Sequence, residues 1–199
     1  MKPDLTIELQ RPSLCCGIDE AGRGPWAGPV VAAAVILREI PNGVNDSKKL
    51  SVTKRNLLFQ QITATSMFGI GLASVEEIDA LNILQATFLA MRRALAALPT
   101  KPAFALIDGN RVPLDLPCPA EAIVMGDTRC ASIAAASILA KVTRDRIMAE
   151  LSQSHPGYGW ESNMGYGVPA HAAGLKQLGV TPHHRRTFKP IHNILWKAK

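Results

Sequence analysis

The 199-residue sequence predicts an α/β domain, and three observations carry the prediction. Short apolar runs end in acids and glycines, at Ile18-Asp19-Glu20-Ala21-Gly22 and at Ile107-Asp108-Gly109, the pattern of buried strands opening at their C-terminal ends. Segments with apolar residues at helical spacing lie between and after these runs, so early strands give way to alternating helices and strands. The length suits one domain over residues 1–199, with a basic C-terminal region from roughly residue 155.

The elements follow in order. Leu14 to Ile18 is an apolar-leaning strand that opens into Asp19-Glu20-Ala21-Gly22-Arg23-Gly24-Pro25. Val30 to Leu37 is a buried strand of mostly small side chains, and Pro41 to Lys49 a polar loop. Ser51 is an N-cap for a helix reaching Thr65. Met67 to Ala73 alternates as a third strand. Ser74-Val75-Glu76-Glu77 has capping-box spacing. The helix it opens carries Ile78, Leu81, Leu84, Phe88, Met91 and Leu95 on one face until Pro99 stops it. Phe104 to Ile107 and Glu121 to Val124 are further strands, the second ending near Gly126-Asp127. Ala131 to Leu151 is a strong helix whose Ala/Ser-rich first half suits close packing on a sheet. From His155 the chain is rich in Gly, Pro and His, with a short helix at Ala170 to Leu178.

Composition narrows the class. The longest clean apolar run, Val30 to Leu37, is far too short for a bilayer span. No apolar stretch follows Met1, so no secretory signal is expected. Cys15, Cys16, Cys118 and Cys130 lack zinc-ligand spacing and read as reduced thiols of a cytoplasmic protein. The net charge is 22 − 16 = +6, and the last acid is Glu161. Lys176, Arg185, Arg186, Lys189, Lys197 and Lys199 follow it, so the charge of residues 1–161 balances to zero. Such a tail is either a polyanion-binding surface or a solvated basic end.

Asp19, Glu20, Asp108 and Asp127 are candidate metal ligands. Paired buried carboxylates are costly unless a cation neutralises them. Hard oxygen ligands without a His–Cys set favour Mg²⁺ or Mn²⁺, and four acids can hold two ions roughly 3.5–4 Å apart about a phosphate. Taken alone, each acid reads more readily as a turn residue, as a lone Asp before Gly usually is. Consecutive strand residues face opposite ways, so Asp19 and Glu20 are expected to share a site only where the strand ends or bulges.

The heptapeptide Asp19 to Pro25, continuing through Val35, resembles the opening signature of the type 2 ribonucleases H, specifically bacterial ribonuclease HII. The likeness recurs at Asn45 to Leu50, Ile107 to Gly109, Gly126 to Asp145, His155 to His171 and His183 to Phe188, covering nearly the whole chain in the family's order. It implies a ribonuclease H-like fold: a central mixed five-stranded sheet flanked by helices, then a small helical C-terminal region. Asp19, Glu20, Asp108 and Asp127 match the family's acidic metal set. Gly22, Arg23 and Gly24 match the element that recognises a ribonucleotide, where the 2′-hydroxyl distinguishes RNA from DNA. Tyr166 matches a tyrosine packed on the next sugar. Ser47, Lys48 and Lys49 match a phosphate-contacting loop, while Arg185 and Arg186, with His183 and His184, are expected on the duplex backbone. Asp145 lies either near the metals or in a helix-surface ion pair, and His171 is either structural or catalytic. Without the resemblance, the Gly-Arg-Gly run reads as a tight turn, Ser47 to Lys49 as a solvated loop and Tyr166 as a half-buried aromatic.

Two positions depart from the family pattern. Trp26 stands where Leu is more usual, and Val168 where Thr is usual, which removes a hydroxyl near Tyr166. The absence of an extra module before Leu14 disfavours the sister ribonuclease HIII. The resemblance thus implies a hydrolase that cuts 5′ of ribonucleotides, in RNA–DNA hybrids and singly embedded in duplex DNA, leaving 3′-hydroxyl and 5′-phosphate ends. No membrane and no obligate protein partner is expected. A two-metal DNA nuclease and a non-catalytic hybrid-binding module are the competing classes.

Overall fold

The computed structural model describes residues 2–12 and 14–196, so Lys197 and Lys199 of the basic tail lie outside the described residues. Five strands, β1 (Cys15–Ala21), β2 (Val30–Ile36), β3 (Met67–Ala73), β4 (Phe104–Asp108) and β5 (Ala120–Ile123), form one sheet in the order β3-β2-β1-β4-β5. β1, β2 and β3 pair antiparallel, whereas β4 joins β1, and β5 joins β4, in parallel. This is the mixed five-stranded sheet expected from the sequence.

The pleat sends alternate side chains to two layers of helices. Cys16 and Ile18 of β1, with Ala32 and Ala34 of β2, pack against Ala86, Ala90, Met91 and Ala94. Those partners belong to α3 (Ile83–Ala96). On the opposite face Ala33 and Val35 meet Leu58 and Ile62 of α1 (Val52–Thr65) and the alanine-rich half of α4 (Ala131–Ser154). Missing side chains set the spacing. A Cβ on Gly17 of β1 would lie 2.2 Å from the Ser132 carbonyl carbon of α4. On the other face, a Cβ on Gly71 would lie 2.3 Å from the Ala90 carbonyl oxygen of α3.

Ser51 caps α1 and the Ser74–Glu77 capping box opens α2 (Val75–Leu81). The single helix expected after Ser74 is in fact two. Asn82 at φ 72° ends α2 and caps α3, its Oδ1 accepting the N–H groups of Leu84 and Gln85. Asn is a strong N-cap, and its side chain satisfies the first N–H groups of α3, which is why the break falls there. The C-terminal region comprises α5 (Trp160–Asn163), α6 (Pro169–Leu178) and α7 (Lys189–Trp196). A small second core of Tyr158, Trp160, Leu175 and Ile191 docks it on Met148 of α4 and on Ala27, in the loop after β1. The four cysteines are free. No described helix is long and apolar enough to cross a membrane.

Candidate active site

β1 runs further than expected. Its ladder with β2 stays regular through Asp19–Ala33, Glu20–Ala32 and Ala21–Val31, so the strand neither ends nor bulges at the paired acids. Asp19 and Glu20 therefore project from opposite faces of the sheet. Asp19 is only 5% exposed and lies on the α4 side, where Ser137 works against the rise in its pKa and its Oδ1 accepts the Glu20 N–H. Glu20 lies on the α3 side, in a cleft with Thr87, Phe88, Arg23 and Asp108.

The two acids still belong to one cluster because β4 is short. The β1–β4 ladder stops at Ile18–Ile107, leaving a corner at the sheet's end that Asp108 occupies as the last residue of β4. Asp108 Oδ1 accepts the Gly126 N–H at 2.8 Å, fastening the 3₁₀ turn Gly126–Thr128 on which the buried Asp127 sits. The arrangement is legible in the charges. Asp19 is held well above the usual carboxylate range by burial, then by Glu20 and by Asp108. Glu20 is raised by burial and by Asp108, against the pull of Arg23. Asp127 is raised by burial, Asp108 and Asp46. Burial works against the charge of Lys48, yet Asp19, Asp46, Asp127 and Asp108 together outweigh it and raise its pKa.

Four carboxylates thus converge on one end of the sheet with Lys48 and Arg23 as the nearby cations, a charge imbalance that favours divalent metal. All the donors are hard oxygens, which fits Mg²⁺ or Mn²⁺. Among the described residues, no three Asp, Glu, His or Cys side chains already close on a single ion-sized point. One oxygen of Asp19 is turned onto the Glu20 N–H, and one of Asp108 onto Gly126. The set fits a metal by chemistry and charge.

Beside the acids opens a cleft of about 250 Å³ lined by Glu20, Gly22, Arg23, Gly24, Lys48 and Tyr166 among others. Gly22 has φ 100°, a conformation suited to glycine. Arg23 is exposed, with Nη1 3.5 Å from Glu20 Oε1. Tyr166 is 45% exposed, and a Cβ on Gly24 would lie 3.5 Å from its ring. The loop and the ring therefore face each other across the cleft.

Other expected substrate contacts are placed differently. Ser47 is buried, its hydroxyl 2.8 Å from that of Ser137, so it ties its loop to α4 instead of facing a phosphate. Lys49 is exposed 3.9 Å from Asp46 and does not line the cleft. Arg186 is exposed, and its backbone N–H is held by Asp79. Arg185 departs most from the expectation of a backbone contact. It is fully buried, with its guanidinium bonded to backbone carbonyls beneath the Gly22–Pro29 loop, where no phosphate can reach it. Asp145 pairs with Lys141 at 2.8 Å, one helical turn apart, and Lys141 lines the cleft.

His171 is buried in a relay of hydrogen bonds. Its Nε2 lies 3.1 Å from Trp160 Nε1 and 3.0 Å from His184 Nε2, and its Nδ1 lies 3.0 Å from the Tyr166 carbonyl. That geometry is structural and supports the Tyr166 segment. Trp26 covers Gly167 and lies 5.6 Å from the His171 ring.

Asp46, Ser137, Lys141 and Arg144 are site residues that sequence reasoning did not single out. All four lie in stretches already marked by the family likeness, Asp46 in Asn45 to Leu50 and the others in Gly126 to Asp145. Nothing in the sequence marks Ser137 apart from the other small residues of its helix.

The sheet order, and acids gathered at the ends of its two central parallel strands, define an enzyme of the ribonuclease H-like fold. Solved structures agree: ribonuclease H2 from Pyrococcus horikoshii OT3 matches with TM-score 0.75 and 30% identity, covering 90% of this chain and 96% of that one. Ribonuclease HII in a PCNA complex from Archaeoglobus fulgidus matches with TM-score 0.76 and 28% identity, over 88% and 95% of the two chains. A family model for ribonuclease HII matches residues 16–198, and the chain belongs to that family. Ribonuclease HII of Jannaschia sp. (strain CCS1) is 60% identical over 98% of this chain and 99% of its own length. That of Roseobacter denitrificans is 58% identical over 92% and 93%. The chain is accordingly a type 2 ribonuclease H, an endonucleolytic hydrolase.

Proposed function

We propose that the chain hydrolyses the phosphodiester on the 5′ side of a ribonucleotide, in hybrids and where a single ribonucleotide is embedded in duplex DNA. The products are a 3′-hydroxyl and a 5′-phosphate. The observation that carries this reading is the junction of two features at one sheet end: four carboxylates, three of them raised by burial and by the charge of Asp108, and a cleft framed by Gly22–Gly24 and Tyr166.

Asp19, Glu20, Asp108 and Asp127 would hold Mg²⁺ or Mn²⁺, which supplies charge neutralisation at the scissile phosphate and a water of lowered pKa. The protein's own groups do the rest. The Glu20 N–H orients Asp19, and the Gly126 N–H orients Asp108. Lys48 and Lys141 give the cleft positive charge for the flanking phosphates. The Gly22–Gly24 backbone contacts the ribose 2′-hydroxyl, and the Tyr166 ring packs on the following sugar, favouring a deoxyribose there.

Asp108→Asn tests the acid assignment. The shape and the Gly126 bond survive, one negative charge is lost, and turnover should fall at least about 1,000-fold while duplex affinity changes little. Turnover within about tenfold of the parent would remove Asp108 from the metal set.

A further inference from the structure

Arg185 and Arg144 are fully buried, and carbonyl dipoles, not carboxylates, answer their charge. Arg185 donates to the carbonyls of Gly22, Arg23, Pro25, Gly28 and Pro29. Arg144 donates to those of Ala27, Pro29 and Met164. The Arg185 backbone N–H donates to the Trp26 carbonyl at 2.8 Å. Desolvating two guanidiniums is expensive, and burial pulls Arg185 down to about 9 and Arg144 to about 10. A device of that cost points to a requirement on the loop's shape.

Peptide geometry says what the requirement is. From Gly22 to Pro29 every carbonyl except that of Gly24 is turned inward onto one of these donors. The peptide bonds are trans, so each carbonyl points opposite to the N–H of the next residue. An inward Gly22 carbonyl turns the Arg23 N–H outward, and an inward Arg23 carbonyl turns the Gly24 N–H outward. The Gly24 carbonyl remains, and Pro25 has no N–H to place opposite it. Away from the clamp the loop therefore offers the N–H donors of Arg23 and Gly24, with the Gly24 carbonyl beside them taken by neither arginine. A hydroxyl both donates and accepts, and such a set complements it.

We infer that Arg185 and Arg144 are positioning residues that impose ribose specificity, by clamping the loop carbonyls inward so that the Arg23–Gly24 backbone faces the 2′-hydroxyl. This rests on the proposal that the Gly22–Gly24 loop reads the ribonucleotide. A lysine cannot replace either arginine, because one ammonium has three donors on a point and cannot span carbonyls that a planar fork reaches. The clamp also explains why the C-terminal region packs on the loop. Arg185 belongs to that region, so the ribose reader is completed by a residue more than 150 positions downstream of it.

The test is binding in Ca²⁺, with two duplexes identical except for one 2′-hydroxyl, measured below the melting temperature of each protein. A reduced folded fraction lowers both affinities equally and cancels in their ratio. The parent should prefer the ribonucleotide duplex by about tenfold, the worth of a satisfied polar set. Arg185→Lys should bring the ratio to within about twofold of unity while leaving the all-DNA affinity unchanged. Should Arg185→Lys fail to melt cooperatively, Arg144→Lys carries the same measurement, since it loosens the loop at Ala27 and Pro29. A parent that discriminates beside variants that discriminate equally well overturns the clamp alone. A parent ratio near unity overturns the ribose-reading loop and the clamp with it.

Discussion

Acidification should destabilise this fold through two histidines that the chemistry does not use. The Thr181 N–H donates to His184 Nδ1 at 3.0 Å, so that nitrogen is an acceptor and the His184 proton sits on Nε2. Nε2–H then donates to His171 Nε2, which also accepts from Trp160 Nε1–H, leaving His171 Nδ1–H for the Tyr166 carbonyl. The relay is satisfied with both rings neutral. A proton added at His184 Nδ1 would oppose the Thr181 N–H, and one at His171 Nε2 would oppose two donors.

Both pKa values are correspondingly lowered, His171 mainly by burial and His184 to about 3 by burial together with His171, His183 and His155. A depressed folded pKa gives stability that is present above the unfolded value near 6.5 and is lost as pH falls towards the folded one. At pH 5 the unfolded chain has bound a proton that the native His184 refuses, a loss of about 2 kcal/mol, or roughly 4–8 °C in melting temperature for a domain of this size. The assay is thermal melting from pH 7.5 to 5 in saturating Mg²⁺, for the parent and for His184→Gln. The raised carboxylates of the site act in the opposite sense, so the parent-minus-variant difference is the quantity read. A difference that is flat with pH, or that favours the parent in acid, refutes the neutral relay.

The remaining predictions are simpler. Val168 is the N-cap of α6 and makes no side-chain cap, so Val168→Thr should stabilise the protein by about 1 kcal/mol, read as a rise in urea midpoint at constant slope. Gly17→Ala would drive a methyl into the Ser132 backbone 2.2 Å away, and should cost about 3 kcal/mol or more in the same titration; a loss under about 1 kcal/mol would mean that α4 is not seated on β1 as described. Asp19→Asn should abolish turnover yet raise the melting temperature in EDTA, because it removes a buried charge repelled by Glu20 and Asp108. A lower melting temperature would show that Asp19 is already balanced by its neighbours.

Local signals made most of the fold readable. Caps at Ser51 and Ser74, strand-length apolar runs and small-residue helix faces act within a few residues, and the corresponding elements form close to where those signals fall. Asn82 had its capping chemistry in view, but the apolar stripe from Ile78 to Leu95 runs through it and hides the break. The acids were legible because acid–glycine endings on apolar runs are unusual. Their geometry was not, since the sharing of one site by Asp19 and Glu20 depends on β4 stopping at Asp108, a property of strand pairing. Arg185 shows the limit most clearly. In sequence it is one cation of a basic tail, and only tertiary contact with a loop more than 150 residues away turns it inward.

The most direct measurement takes an end-labelled DNA duplex carrying one ribonucleotide, incubated with the protein in Mg²⁺, in Mn²⁺ and in EDTA, beside an all-DNA duplex and a continuous hybrid. The account predicts a single metal-dependent nick on the 5′ side of the ribonucleotide, cutting of the hybrid, and an intact all-DNA strand. Equal cutting of the all-DNA duplex, or cutting that persists in EDTA, would contradict it.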